Sequence, residues 1–227
     1  MRIIRLTGLV VLAVVAMGCA VVSSAGAFSS NPLFSAASIG ATITLGSGGA
    51  TLLKGAGLEI ACKENHAVGG TVSNALLIGG FVLHYLGCEY TKGEAESGCP
   101  ANSTGASGGL ILTTTLHGIL GLLLPQNTTG ILFLPVAGKI FTTFAEAEKN
   151  GKKCGVQIKV EGTSAATIEP VEKSSVNGTI KVVTKEIQEI DLTHGLGLVK
   201  AKLLTAGEGS LLTQTDEVMF SKAVEVT

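Results

Sequence analysis

The sequence predicts an all-β fold: a predominantly antiparallel sandwich or barrel-like domain, braced by two disulfides and preceded by a cleaved N-terminal signal helix. Three observations predict it. Short β-rich apolar segments alternate with glycine turns, and the 31 glycines among 227 residues are about twice the usual ~7% share. Four of the five cysteines, an even number, lie beyond a leader. The leader itself has the three-part layout of an export signal.

Arg2 and Arg5 precede an apolar run over residues 6–22, and Ala25-Gly26-Ala27 then supplies small residues in a small-x-small pattern. The run is short of the ~20 residues of a spanning helix, and no basic stop-transfer cluster follows it. This predicts a signal peptide over 1–27, cleaved after Ala27, and one β-rich domain over 28–227. An alternative rests on Cys19. Val15 to Cys19 loosely resembles a lipobox, with Ala16 in the place usually held by Leu, so lipidation of Cys19 would leave the chain anchored at the cell envelope.

Cleavage removes both arginines and leaves 14 lysines against 17 acidic residues, a net charge near −3. Without a guanidinium fork, a basic patch or interleaved aromatics, the composition excludes nucleic acid as a partner. Trp is absent and Tyr occurs only at 85 and 90, which weakens any sugar-stacking platform.

Strand patterns fill the rest of the chain. Residues 41–45 and 50–54 flank a glycine turn at 46–49, followed by 58–63, 70–75 and 78–88, with Gly79-Gly80 marking a bulge. Residues 91–109, around Cys99, have loop chemistry. The apolar stretch 110–124 is too short to cross a bilayer, is broken by Gly118 and Gly121, and carries Thr113 to Thr115, which favour β structure. It reads as one bent strand or two, ended by Pro125. Residues 131–134 and 139–144 suggest a hairpin, and 144–149 (FAEAEK) a one- or two-turn helix. Strands are then expected at 156–160, 166–170, 179–184, 187–192, 198–205, 210–214, 218–220 and 223–226, with Asn177-Gly178 as a two-residue turn. No repeat of 20–50 residues and no divisive linker is present; a distinct β layer or subdomain over 166–227 is the alternative to a single domain.

Cys62 closes one expected strand and Cys88 another, so neighbouring strands favour a Cys62–Cys88 bond and leave Cys99 for Cys154. The competing reading of the near-mirror segments Cys62…His66 and His84…Cys88 is a zinc site of two Cys and two His, although His66 reads as a turn residue and export favours the disulfide. Gly105-Ala106-Ser107-Gly108-Gly109 matches G-x-S-x-G, with Asp191 and His194 following in hydrolase order, but the strand–Ser–helix context is missing. Glu146 with Glu148, and Glu186 with Glu189, are paired carboxylates beside lysines and read as solvated surface. Asn102, Asn127 and Asn177 head N-glycosylation sequons.

The order of features also resembles a known group. An early Cys strand (LEIACK), an apolar strand ending Gly87-Cys88, a loop Cys (SGCP), TTTLHGILG, GTSAATIEP, a KEIQEI strand and a DEVMF ending follow the leader. In this order they resemble a family of secreted, β-rich actinobacterial proteins with no assigned activity. Members often carry a Cys where Phe144 to Glu146 stands here, and this chain has Cys154 instead. The resemblance implies export and a β fold, and no site residue.

The expected function is therefore that of a secreted or cell-envelope protein acting as a non-catalytic binding or surface structural module, with an extracellular partner and no cofactor. The alternatives are a secreted hydrolase with a dispersed active site, whose histidines (66, 84, 117 or 194) or carboxylates would converge in a cleft, and a ligand-carrying β-barrel with an apolar lumen.

Overall fold

Alternation governs the architecture. Every second residue of Leu58–Cys62 is buried, and the same period runs from Phe81 to Leu86, as strands with one inward face require. The computed structural model describes residues 32–45, 50–93, 97–182, 187–192 and 196–227; the leader with Cys19, Ala25 and Ala27, as well as Glu186 and His194, lies outside the described residues.

The strands are β1 (Ile43–Leu45), β2 (Thr51–Gly55), β3 (Leu58–Cys62), β4 (Glu64–Val72), β5 (Leu77–Leu86), β6 (Glu89–Lys92) and β7 (Asn102–Ser103). Then come β8 (Ile111–Leu112), β9 (Leu116–Leu123), β10 (Thr128–Pro135), β11 (Ile140–Ala145), β12 (Glu148–Lys149), β13 (Lys152–Lys153) and β14 (Ile158–Gly162). The last are β15 (Ser164–Glu169), β16 (Ser175–Val182), β17 (Gln188–Leu192), β18 (Gly197–Ala201), β19 (Leu203–Thr205), β20 (Glu208–Thr213) and β21 (Thr215–Val224). The fold is all-β and every pairing is antiparallel.

Two large sheets form. The first runs β1-β21-β16-β15-β10-β9 and continues from β9 through β5 to β4. It curls back on itself. The Gly40 N–H donates to the Val72 carbonyl at 2.7 Å, the Val72 N–H to that of Ala41 at 2.9 Å, and Thr42 bridges Thr71, so the entry to β1 lies beside β4. The second runs β6-β3-β2-β20-β19-β14-β11-β7. Its ends also meet, because the Tyr90 N–H donates to the Cys99 carbonyl and the Ala101 N–H to that of Cys88, both at 2.9 Å. One hydrophobic core continues through both, from Ile43, Phe81 and Ile180 in the first to Ile60, Phe144 and Leu203 in the second. A smaller cluster forms where the β17–β18 hairpin, which joins the first sheet at β9, packs Ile190, Leu192 and Ala201 against Leu123, Leu132 and Ala165. Gly121 permits that approach: a Cβ there would lie 2.6 Å from the Asp191 carbonyl oxygen.

Several expectations are corrected. FAEAEK is not a helix: Phe144 lies in β11 with partners Ser103 and Ile158, and the segment leads into the β12–β13 hairpin. Six residues cannot offset the cost of helix nucleation, whereas burying Phe144 in the second sheet rewards extension. The turn of that hairpin is Asn150-Gly151, with φ of 54° and 74°. The other Asn-Gly pair, Asn177-Gly178, lies inside β16 opposite Met219 and Val218. Residues 131–134 and 139–144 do not pair with each other either: β10 belongs to the first sheet and β11 to the second. The 110–124 stretch takes the two-strand form of its expectation, whereas 198–205 divides between sheets at Lys202. Strands after residue 166 are shared by both sheets, so they build no layer of their own. His66 is a strand residue of β4 rather than a turn residue.

Candidate functional site

The four cysteines among the described residues are oxidised, as Cys62–Cys88 and Cys99–Cys154. The first bond joins Cys62, at the end of β3, to Cys88, just before β6, its neighbour in the second sheet; the second ties the segment before β7 to the chain after β13. These bonds, of the kind that persist in an oxidising compartment, remove both sulfurs from the competing zinc reading, in favour of the expected disulfide. Among the described residues no three His, Cys, Asp or Glu side chains are grouped to hold a metal ion. The two histidines of that set nevertheless meet. His66 and His84 are direct cross-strand partners of β4 and β5, with ring centres 4.8 Å apart and planes inclined by 53°. Burial, and secondarily the neighbouring His66, lower the pKa of His84 below the ordinary imidazole value.

The hydrolase constellation does not assemble as a nucleophile elbow. Ser107 is exposed in the loop between β7 and β8, and a strand rather than a helix follows it. The Gly109 N–H of that loop donates to the Asn102 side-chain oxygen at 2.7 Å, so this sequon residue is buried and occupied in packing. Asp191 is exposed on β17. Glu146 pairs with Lys153 at 2.8 Å, and Glu189 with Lys200 at 3.4 Å, each pair at the surface. His117 sits on β9, its Nδ1 buried with no protein partner among the described residues.

A polar group that the sequence reading passed over lies inside the first sheet. Asp216 is 1% exposed. The Tyr85 hydroxyl donates to Gln214 Oε1 at 2.9 Å, and the Gln214 amide donates to Asp216 Oδ2. Beside them the Asn65 amide donates to Thr51 Oγ1 at 2.9 Å. Burial pushes the Asp216 carboxyl up to about 6, against the opposing pull of hydrogen bonds from Gln214 and Asn65. Tyr85 is driven far above the usual phenol value by burial and by Asp216. Parity along β21 would have revealed the aspartate: Thr215 and Glu217 are exposed, whereas Asp216 shares the inward face with Val218.

The interiors are filled. Two enclosed spaces, one among Ile60, Phe141, Phe144 and Leu212, the other among Ile43, Phe81, Phe133 and Asp216, each measure about 20 Å³, room for about one water. By contrast, an open groove of about 830 Å³ crosses β15, β16 and β21. Glu169, Thr179 and Glu217 are consecutive partners across its three strands, with Asn177 and Met219 in the next row. Such a groove presents carboxylates, an amide, a hydroxyl and a thioether on a sheet.

Comparison with protein-family models, with curated proteins and with solved structures finds no match to this chain. Among the described residues no helix is long and apolar enough to cross a membrane.

Proposed function

We propose that the protein is an exported, non-catalytic binding or surface module of the cell envelope or its surroundings, and that it meets its partner through the groove across β15, β16 and β21. The observation that carries this reading is the contrast between water-sized interiors and an open groove of about 830 Å³ whose side chains come from three registered strands. A small-ligand carrier would need a lumen, and a nucleophile-elbow hydrolase would need a strand–Ser–helix turn, whereas Ser107 stands in an exposed loop followed by a strand. Export is supported by residues 1–27, by the two disulfides and by the resemblance to secreted actinobacterial proteins.

The test uses the full chain expressed with its leader in a producing bacterium. Mass spectrometry of the released protein should give Phe28 as its first residue, whereas an acylated Cys19 would assign it to the anchored class. The mature protein should co-sediment with cell-envelope material, and Glu169→Lys with Glu217→Lys should weaken this by about tenfold, as loss of a hot spot does. Turnover of ester, glycoside or peptide substrates that a single substitution abolishes would refute the non-catalytic reading.

A further inference from the structure

We propose that His66 and His84 form a two-point binding site for a divalent transition metal, with Cu(II) as the preferred ion. The disulfide Cys62–Cys88 has taken the sulfurs that flank them, so the donor set is two imidazoles alone.

The strand register builds the site. Asn65 and Ala67 are buried on either side of His66, as Leu83 and Tyr85 are on either side of His84, which places both imidazoles on the opposite, outer face of the first sheet. Direct cross-strand partners in an antiparallel pair hold their side chains together without any turn or loop to order. The spacing fits a chelate. A metal ion ~2.0–2.1 Å from one nitrogen of each ring lies about 3 Å from each ring centre, so N–metal–N angles between square-planar and tetrahedral put the centres about 4.5–5 Å apart. The observed 4.8 Å falls within that interval. Neither imidazole hydrogen-bonds to protein among the described residues, so ligation displaces no internal partner.

The surroundings leave the remaining coordination positions open. Val68 and Val82 are partners one row along the same face, Glu64 and Leu86 are partners one row the other way, and Leu112 flanks His84 on β8. With two nitrogen donors and open positions, affinity should follow the usual order in which Cu(II) exceeds Zn(II). The open positions would be filled by water or by donor atoms of an external ligand.

Copper(II) nitrilotriacetate is the probe, because the chelator caps four positions and leaves a cis pair for the protein. It is titrated into the untagged, disulfide-intact mature chain at pH 7.4, followed by calorimetry and by electron paramagnetic resonance. One complex per chain is expected, with hyperfine coupling to two imidazole nitrogens. His66→Gln and His84→Gln should each weaken binding about tenfold or more, since two-point attachment becomes one-point, while His117→Gln should leave it unchanged. Circular dichroism verifies that the exposed-face variants remain folded. A single-imidazole spectrum in the parent protein, or affinity that survives both substitutions, would overturn the proposal, as would loss of binding in His117→Gln.

Discussion

Replacing Asp216 by Asn should stabilise the protein at neutral pH and leave it nearly unchanged in acid. The carboxyl is 1% exposed and titrates at about 6 in the fold, against 3.8 for an ordinary aspartate. Because the folded value is raised, folding favours the protonated acid. That contribution is complete below pH 3.8 and is lost as pH rises through about 6. At ~1.36 kcal/mol per pH unit, keeping the buried carboxylate ionised at pH 7.5 costs about 3 kcal/mol. Asn has the shape of the protonated acid, and its carbonyl can still accept from the Gln214 amide. Urea unfolding of parent and Asp216→Asn, with disulfides intact, gives the difference directly, and all other titrating groups cancel. The variant should gain about 3 kcal/mol at pH 7.5 and under ~0.5 kcal/mol at pH 3.5. A difference independent of pH, or a destabilised variant at pH 7.5, would refute the argument that burial among Ile43, Phe81 and Phe133 outweighs the hydrogen bonds that Asp216 receives.

Two further outcomes follow from the cross-links and from the outer hairpin. Removing Cys62–Cys88, which spans 26 residues, and Cys99–Cys154, which spans 55, as paired Ala substitutions should cost roughly 3.5 and 4 kcal/mol by the chain-entropy model; a loss under ~1 kcal/mol for either in urea titration would contradict it. Gly121→Ala should set its new methyl against the Asp191 carbonyl and Ile190, lifting β17–β18 off β9. Hydrogen exchange should then accelerate across 188–201 while β2, β3 and β20 keep their protection, and uniform acceleration would show that the hairpin is not a separable unit.

What could be read from the chain alone was local. Alternation in Leu58–Cys62 and the glycine pair at 79–80 are written in neighbouring residues: the register of β5 against β9 does shift between Ile78 and Phe81. The cysteines were equally readable, because their parity and strand-end positions restrict the choices. What could not be read was decided by distant partners. Asn150-Gly151 and Asn177-Gly178 carry the same turn signal, but Gly178 is fixed by pairing with β21, some forty residues later, and by Glu169, whose carbonyl would lie 2.6 Å from any Cβ there. Likewise Phe144 obeys a buried pairing rather than the helix preference of its neighbours, and nothing near Lys202 announces that the chain changes sheets. At the surface, the mirrored spacing of His66 and His84 is visible in the chain, but their adjacency depends on His66 being a strand residue of β4. A single acidic residue such as Asp216 betrays its burial only through the parity of its strand.

The pairing of β1 with β21 sets how the first sheet closes. β21 lies between β1 and β16, so Ile43 finds its partner Phe220 across most of the described chain. A contact of such long sequence separation must meet its loop-closure cost before it contributes stability, so this seam should form late and open early relative to local hairpins such as β2–β3.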